Sequence, residues 1–346
     1  MTRRSRRIGA ILATGVALVV VSTSLPGNGN KTHPGKPGKT AKPSAVAYCK
    51  PSPARAIASL SPTALINVVP YSPQSPFSTP IPAKARVAAG SDGAVKALAD
   101  VGKSLGTSLA IRRWTVPVFI AGPTTPIRNV TLTADWAPRR MLAAPIPAWA
   151  IPDPGEDGHM VVIDRARGCE YDFFQARRGS DNTWSANWAT RLPIAGSGIV
   201  SGPSARASGF GLLGGLVLPE ELNKGAIRHA LVFSYPYTRS HVKVRPATES
   251  ASGSDRSDAL PMGTRLRLDP SLDLSTLQLS SAERAVAQAL QVYGMYLGDT
   301  GPNITLYAVG AQSFNKNPYP EFPAPAPYVP LDGIPLDRLQ VIEPPR

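Results

Sequence analysis

The stretch D-G-H-M-V-V-I-D-R-A-R-G-C-E-Y-D-F-F-Q, from Asp157 to Gln175, decides the fold. Residues 159–164 (HMVVID) are β-branched and apolar, 165–168 (RARG) end on a glycine suited to positive φ, and 169–175 (CEYDFFQ) are aromatic-rich. That pattern predicts two short strands joined by a turn. Side chains alternate across a strand, so Glu170 and Asp172 share one face while Cys169, Tyr171 and Phe173 share the other. On the first strand His159 falls with Val161 and Ile163. Two carboxylates one pleat apart, beside a histidine one strand away, form the densest titratable cluster in a chain that is only 17% charged.

Working outward, 37 prolines and 30 glycines among 346 residues leave few long helical stretches. They favour an all-β domain with many turns, and the length is ample for a core. The formal charge of +14 invites a nucleic-acid or membrane reading, so its location matters. Residues 1–45 carry Arg3, Arg4, Arg6, Arg7, Lys31, Lys36, Lys39 and Lys42 and no acid, and removing those eight charges leaves +6 for residues 46–346. Most of the excess therefore sits outside the expected folded domain. No aromatic-basic motif accompanies it, which weighs against nucleic acid as a partner.

Residues 1–24 read as an export signal: basic Arg3–Arg7, an apolar run from Ile8 to Val21, then Ser22-Thr23-Ser24. The run is short of the roughly 20 apolar residues of a membrane span. Either the general or the twin-arginine route is compatible, and an uncleaved anchor is the alternative, the sole route to membrane contact. The expected address is extracellular or in the cell envelope. Residues 25–45 (LPGNGNKTHPGKPGKTAKPSA) read as a basic Pro/Gly/Lys tether, and 46–346 as one domain with a Pro-rich tail from about 318.

The two cysteines, Cys49 and Cys169, leave two readings: one disulfide in an exported protein, or two buried thiols. The proline-punctuated segment Tyr71–Pro82 is expected to wrap the surface. Ser91 or Asp92 can cap a helix through about Leu105, with Val95, Leu98, Ala99 and Val101 as its apolar stripe. Strands are expected over 114–121, 129–134, 183–189 (with Trp184 and Trp188 on one face), 225–235, 242–245, 264–268 and 304–309. Residues 195–215, rich in glycine and serine, are expected to form a long loop near the site. Ser280-Ser281-Ala282-Glu283 is a capping box opening a helix over about 281–296, with Val286, Ala289, Leu290 and Tyr293 inward. Gly298-Asp299-Thr300-Gly301 then reads as a turn, and the tail after Pro318 as surface coil.

Several motifs recur in a recognisable order: SPFSTPIP (75–82), VPVFIA (116–121), DGHMVVIDRARGCEYDFFQA (157–176), GLLGGLVLPEELNKGAIRHAL (211–231), PAT (246–248), LPMGTRLRLD (260–269) and ALQVYGMYLGDTG (289–301). Over roughly 72–310 the chain resembles a family of exported actinobacterial proteins with relatives in fungi. The resemblance implies a β-sandwich of jelly-roll type and a carbohydrate-active role, with no catalytic assignment. Relatives often show Asn where this chain has Thr300.

The chain has no G-x-S-x-G elbow, H-E-x-x-H or Walker loop. Glycoside hydrolysis needs one protonated and one ionised carboxyl, and Glu170 with Asp172 is the best such pair. Asp157, His159 and His229 are candidates for supporting catalytic roles, and Trp184, Trp188, Tyr235, Arg265 and Asp299 for substrate contact. A lyase would use His229 as base, Tyr235 as acid, and Arg228, Arg265 or Arg267 against a uronate. Each has a plain structural alternative: solvated carboxylates, core histidines and tryptophans, a turn at Asp299. The expectation is an all-β sandwich with two or three peripheral helices, monomeric, needing no cofactor or metal, and acting on polysaccharide or cell-wall glycan. A glycoside hydrolase leads; a lyase, a non-catalytic glycan binder or a structural envelope protein are the alternatives.

Overall fold

The structure, a computed structural model, describes Cys49 and residues 71–137, 139–251 and 253–344. The expected signal segment and tether lie outside these residues. The chain separates into Met1–Ala45 and Val46–Arg346, and every described residue belongs to the second unit.

Among the described residues the fold is mostly strand, with three α-helices. A seven-stranded mixed sheet runs in the order β16 (Tyr328–Pro330), β1 (Thr107–Ala110), β15 (Ile304–Tyr307), β10 (Leu231–Tyr235), β14 (Met295–Thr300), β13 (Arg265–Leu268), β17 (Leu339–Ile342). A four-stranded sheet joins β2 (Val118–Ala121), β5 (Met160–Asp164), β6 (Cys169–Phe174) and β9 (Trp188–Pro193). A second four-stranded sheet orders β4 (Met141–Pro145), β3 (Ile127–Leu132), β8 (Trp184–Ala186) and β7 (Arg177–Arg178). A two-stranded ribbon pairs β11 (Thr238–Lys243) with β12 (Leu260–Met262).

The β5–β6 hairpin lies between β2 and β9 in its sheet. β5 and β6 pair antiparallel, with Val161 opposite Asp172 and Ile163 opposite Glu170. Opposed residues share a face, so the alternation read from the sequence holds. Met160, Val162, Cys169, Tyr171 and Phe173 pack against Val130, Leu132, Leu142 and Trp184 of the neighbouring four-stranded sheet. Val161 and Leu192, on the reverse face, join a larger core with Phe210, Leu212, Val232 and Leu297. One sheet thus closes two hydrophobic cores, and Glu170 and Asp172 enter the larger one.

Helix α1 (Ser91–Leu105) buries Val95, Leu98, Ala99 and Val101, as its periodicity predicts. Helix α3 (Ser281–Val292) carries the capping box, with Ser280 and Glu283 satisfying each other's backbone N–H groups. It is shorter than the spacing predicts: Tyr293 caps it, Gly294 turns the chain at φ 69°, and Met295 enters a strand. Gly298 and Asp299 consequently lie in β14 rather than in a turn. Helix α2 (Pro219–Lys224) ends at Gly225, and the strand expected over 225–235 begins only at Leu231, after a non-strand lead-in.

Two proline-rich segments depart from the surface-coil expectation. The tail supplies both outer strands of the large sheet, and Tyr319, Val329, Leu331, Ile334 and Leu339 are buried. Proline is tolerated at a sheet edge because its missing N–H is not needed there. A fully buried Val or Leu contributes about 1.5–3 kcal/mol, which outweighs the weak strand signal of such a sequence. Likewise Tyr71, Ser75, Phe77 and Ile81 turn inward, and Phe77 meets Phe210 and Tyr296 edge to face. Cys49 and Cys169 form a disulfide with Cα atoms 5.3 Å apart, closing a separation of 120 residues. That bond fits an extracellular protein. Among the described residues no helix is long and apolar enough to cross a membrane.

Candidate functional site

Glu170 and Asp172 reach into the larger core beneath the 195–218 loop, and neither retains any exposure. Glu170 accepts the Tyr71 hydroxyl at 2.8 Å through Oε2 and at 3.0 Å through Oε1, and Oε1 also accepts the Leu213 backbone N–H at 3.0 Å. Asp172 Oδ2 accepts the Leu212 N–H at 2.9 Å. Burial raises the pKa of both acids, and the Glu170 charge adds to burial in pushing Asp172 well above the ordinary carboxylate range. Asp172 therefore holds the proton and Glu170 the charge. The pair does not open into an aromatic-walled cleft. Sugar cannot reach it while the loop is in place.

Arg206 balances this buried charge. It is 1% exposed, its guanidinium donates to the Gly214 carbonyl at 2.9 Å, and it lies 5.2 Å from the Tyr307 ring centroid. Its charge acts inward on Tyr71, Glu170 and Asp172, and outward on Asp299 and Tyr307. The sequence flagged its loop but not this residue. A lone arginine inside a Gly/Ser stretch was the available signal.

Beyond Arg206 lies a rim formed by Asp299 and Asp157, both partly exposed. Asp299 sits on β14 opposite Ser234 of β10, beyond a register shift between Phe233 and Ser234. Desolvation raises its carboxyl to about 7, with the nearby Asp157 adding to the shift and Arg206 opposing it. Asp157 is raised too, first by desolvation and then by Glu156. Both acids keep partial solvent contact, unlike the inner pair. Beside them Tyr307 is buried, and desolvation followed by the Asp299 charge pushes its hydroxyl upward.

Asp153 fixes the approach to this rim. Its buried carboxylate accepts N–H groups of Trp114 at 2.9 Å, Thr115 at 3.2 Å and Gly155 at 2.8 Å. One side chain thereby locks the Trp114 turn to the loop that delivers Asp157. Trp114 adopts φ 57°, uncommon for a bulky residue, and its half-buried ring lies against Gly155, where an added Cβ would come within 3.0 Å. The Asp157–Gly158 corner is pinned to the end of β6 by Gln175 N–H on the Asp157 carbonyl at 2.7 Å.

The remaining expected site residues are engaged elsewhere. His159 is buried, its Nε2 3.2 Å from the Ala205 carbonyl, so that nitrogen carries the proton. Desolvation, then the Arg206 charge, lowers its pKa to about 3, keeping the ring neutral. His229 holds Glu221 at 3.0 Å through Nε2 and the Ala230 carbonyl at 3.0 Å through Nδ1. Burial disfavours its charge, but Glu221 outweighs burial and raises its pKa, making an ion pair that clamps α2. It precedes β10, whereas Asp299 faces the far end of that strand.

Trp184 and Trp188 belong to strands of different sheets, both 4% exposed or less, and fill the smaller core. Neither offers a face to sugar. Tyr235 is fully buried. Arg265 donates to the carbonyls of Thr79 and Tyr293, and Arg267 to Gln340, so both serve packing. The lyase set of His229, Tyr235, Arg265 and Arg267 thus finds other partners. Among the described residues no three His, Cys, Asp or Glu side chains converge as metal ligands.

No protein-family model, curated protein or solved structure matches this chain.

Proposed function

We propose that the protein is an exported glycan hydrolase whose acid and base are Asp299 and Asp157. Asp299, held protonated up to about pH 7 by desolvation, is the general acid. Asp157 is the carboxylate that takes up a proton from water. In the reaction the glycosidic oxygen receives the Asp299 proton as its bond to the anomeric carbon breaks. Water adds its oxygen to that carbon and passes a proton to Asp157. Trp114 supplies an apolar face beside the pair on which a sugar ring can stack.

The observation that carries this reading is two partly exposed carboxyls, one on β14 opposite Ser234 and one on the loop before β5, with the Asp157 charge acting on Asp299. The inner pair, Glu170 and Asp172, becomes the polar foundation beneath them through Arg206. The disulfide supports an oxidising address, and the basic amino-terminal sequence supports export. Incubating the full chain with a panel of wall and plant polysaccharides, and reading new reducing ends and unsaturated products, tests the class. Reducing ends without unsaturation are expected. Retention on the polysaccharide with neither product would instead make it a glycan binder.

A further inference from the structure

A second polar groove lies away from the Asp157–Asp299 rim, between one face of α1 and the β10–β12 region. It encloses about 300 Å³ and is lined by Lys96, Asp100, Ser104, Tyr237, Arg256 and Asp258. The three α1 residues recur at helical spacing, so they present one face. Opposite them, Arg256 grips Asp258 through two hydrogen bonds at 2.8 and 2.7 Å and lies 4.3 Å from the Tyr237 ring centroid. Lys96 pairs with Asp100 at 2.8 Å.

Each cation here is already matched by its own carboxylate, so the groove is rich in donors and acceptors yet neutral. An anion would meet two carboxylates, and an apolar ligand would strand four charged groups. A neutral polyhydroxylated ring suits it, with hydroxyls that both donate and accept and one face to set against tyrosine. Beside this groove is an unmet polar demand. Tyr235 is fully buried, packs edge to face on Tyr237 at 5.8 Å, and its hydroxyl has no hydrogen-bond partner among the described residues. The charges of Asp258 and Arg256 both bear on that hydroxyl, which places it next to the ion pair.

We infer that this groove is a second carbohydrate site, binding a neutral sugar unit between α1 and the Arg256–Asp258 pair. Ligand hydroxyls exchange with the two ion pairs, and displacement of the half-exposed Arg256 side chain uncovers the Tyr235 hydroxyl. The inference does not depend on the hydrolase reading, because it concerns a different surface and binding alone.

The test is an NMR titration of the full chain with cellotetraose and, separately, with the tetramer of galacturonic acid. Amide shifts at Lys96, Asp100 and Tyr237 are expected with millimolar cellotetraose and weaker ones with the charged tetramer. Arg256→Ala should weaken binding about tenfold, the size of a lost hydrogen bond to a charged group. Tyr235→Phe should weaken it while preserving the fold, and Asp299→Asn should leave it unchanged, separating this site from the hydrolytic one. No shift at these amides with either probe, or equal binding by Arg256→Ala and wild type, overturns the proposal.

Discussion

The hydroxyl of Tyr71 lies 2.8 Å from Oε2 of Glu170, joining residues 99 apart in sequence inside the larger core. That contact turns a proline-rich segment inward and gives an ionised carboxylate its partner. Breaking it should be costly. Tyr71→Phe removes a hydrogen bond to a charged, buried group and should destabilise the fold by about 1.5–3 kcal/mol. Urea unfolding of the variant measures this, and an unchanged midpoint would contradict the network.

Gly211 gives the same network a second test. A Cβ there would run into the Tyr71 hydroxyl and come within 2.9 Å of Leu192 and 3.2 Å of Glu170 Oε1. Gly211→Ala should destabilise by about 1–3 kcal/mol through overpacking. Thermal unfolding should show the loss, and it should shrink in the Tyr71→Phe background, where the crowded hydroxyl is gone.

His159 sets the acid limit of stability. Its folded pKa of about 3 lies below the ordinary 6.5, so the unfolded chain binds the extra proton between those values. The His159 contribution is complete above about pH 6.5 and is lost as pH falls towards 3, amounting to up to about 5 kcal/mol. Thermal midpoints measured from pH 7 to pH 4 should fall, and His159→Phe should flatten the slope over that range.

The Cys49–Cys169 bond closes a 120-residue separation, for which loop closure alone gives about 4–5 kcal/mol. Reduction, or Cys49→Ala with Cys169→Ala, should lower stability by that order. Equal denaturant midpoints with and without reductant would contradict it.

The hairpin parity and both longer helices were legible because each rests on short-range chemistry, whereas the disulfide was one of two readings that the cysteine pair left open. Alternation sorts Glu170 from Tyr171, and Ser280 with Glu283 completes a cap within one turn. Burial of Glu170 and Asp172 was not legible, since it depends on a loop 40 residues later folding over them. Trp184 and Trp188 read as one strand because nothing local marks the switch of sheet at Asn187. The tail read as coil because prolines dominate its composition, while Val329, Leu331 and Leu339 supply the buried contacts. Asp299 was read as a turn former and Asp157 as a turn closer; the action of the Asp157 charge on Asp299 couples residues far apart in sequence, which no local pattern marks.

The rate of reducing-end release against pH, for wild type, Asp299→Asn and Glu170→Gln, separates the outer acid from the buried one as the source of activity. A protonated Asp299 predicts wild-type activity that falls as pH rises through about 7, and Asp299→Asn should lose roughly 10²–10⁴ in rate. Glu170→Gln should lower stability while its folded fraction still turns over. Full activity in Asp299→Asn, with turnover abolished in folded Glu170→Gln, would contradict the account.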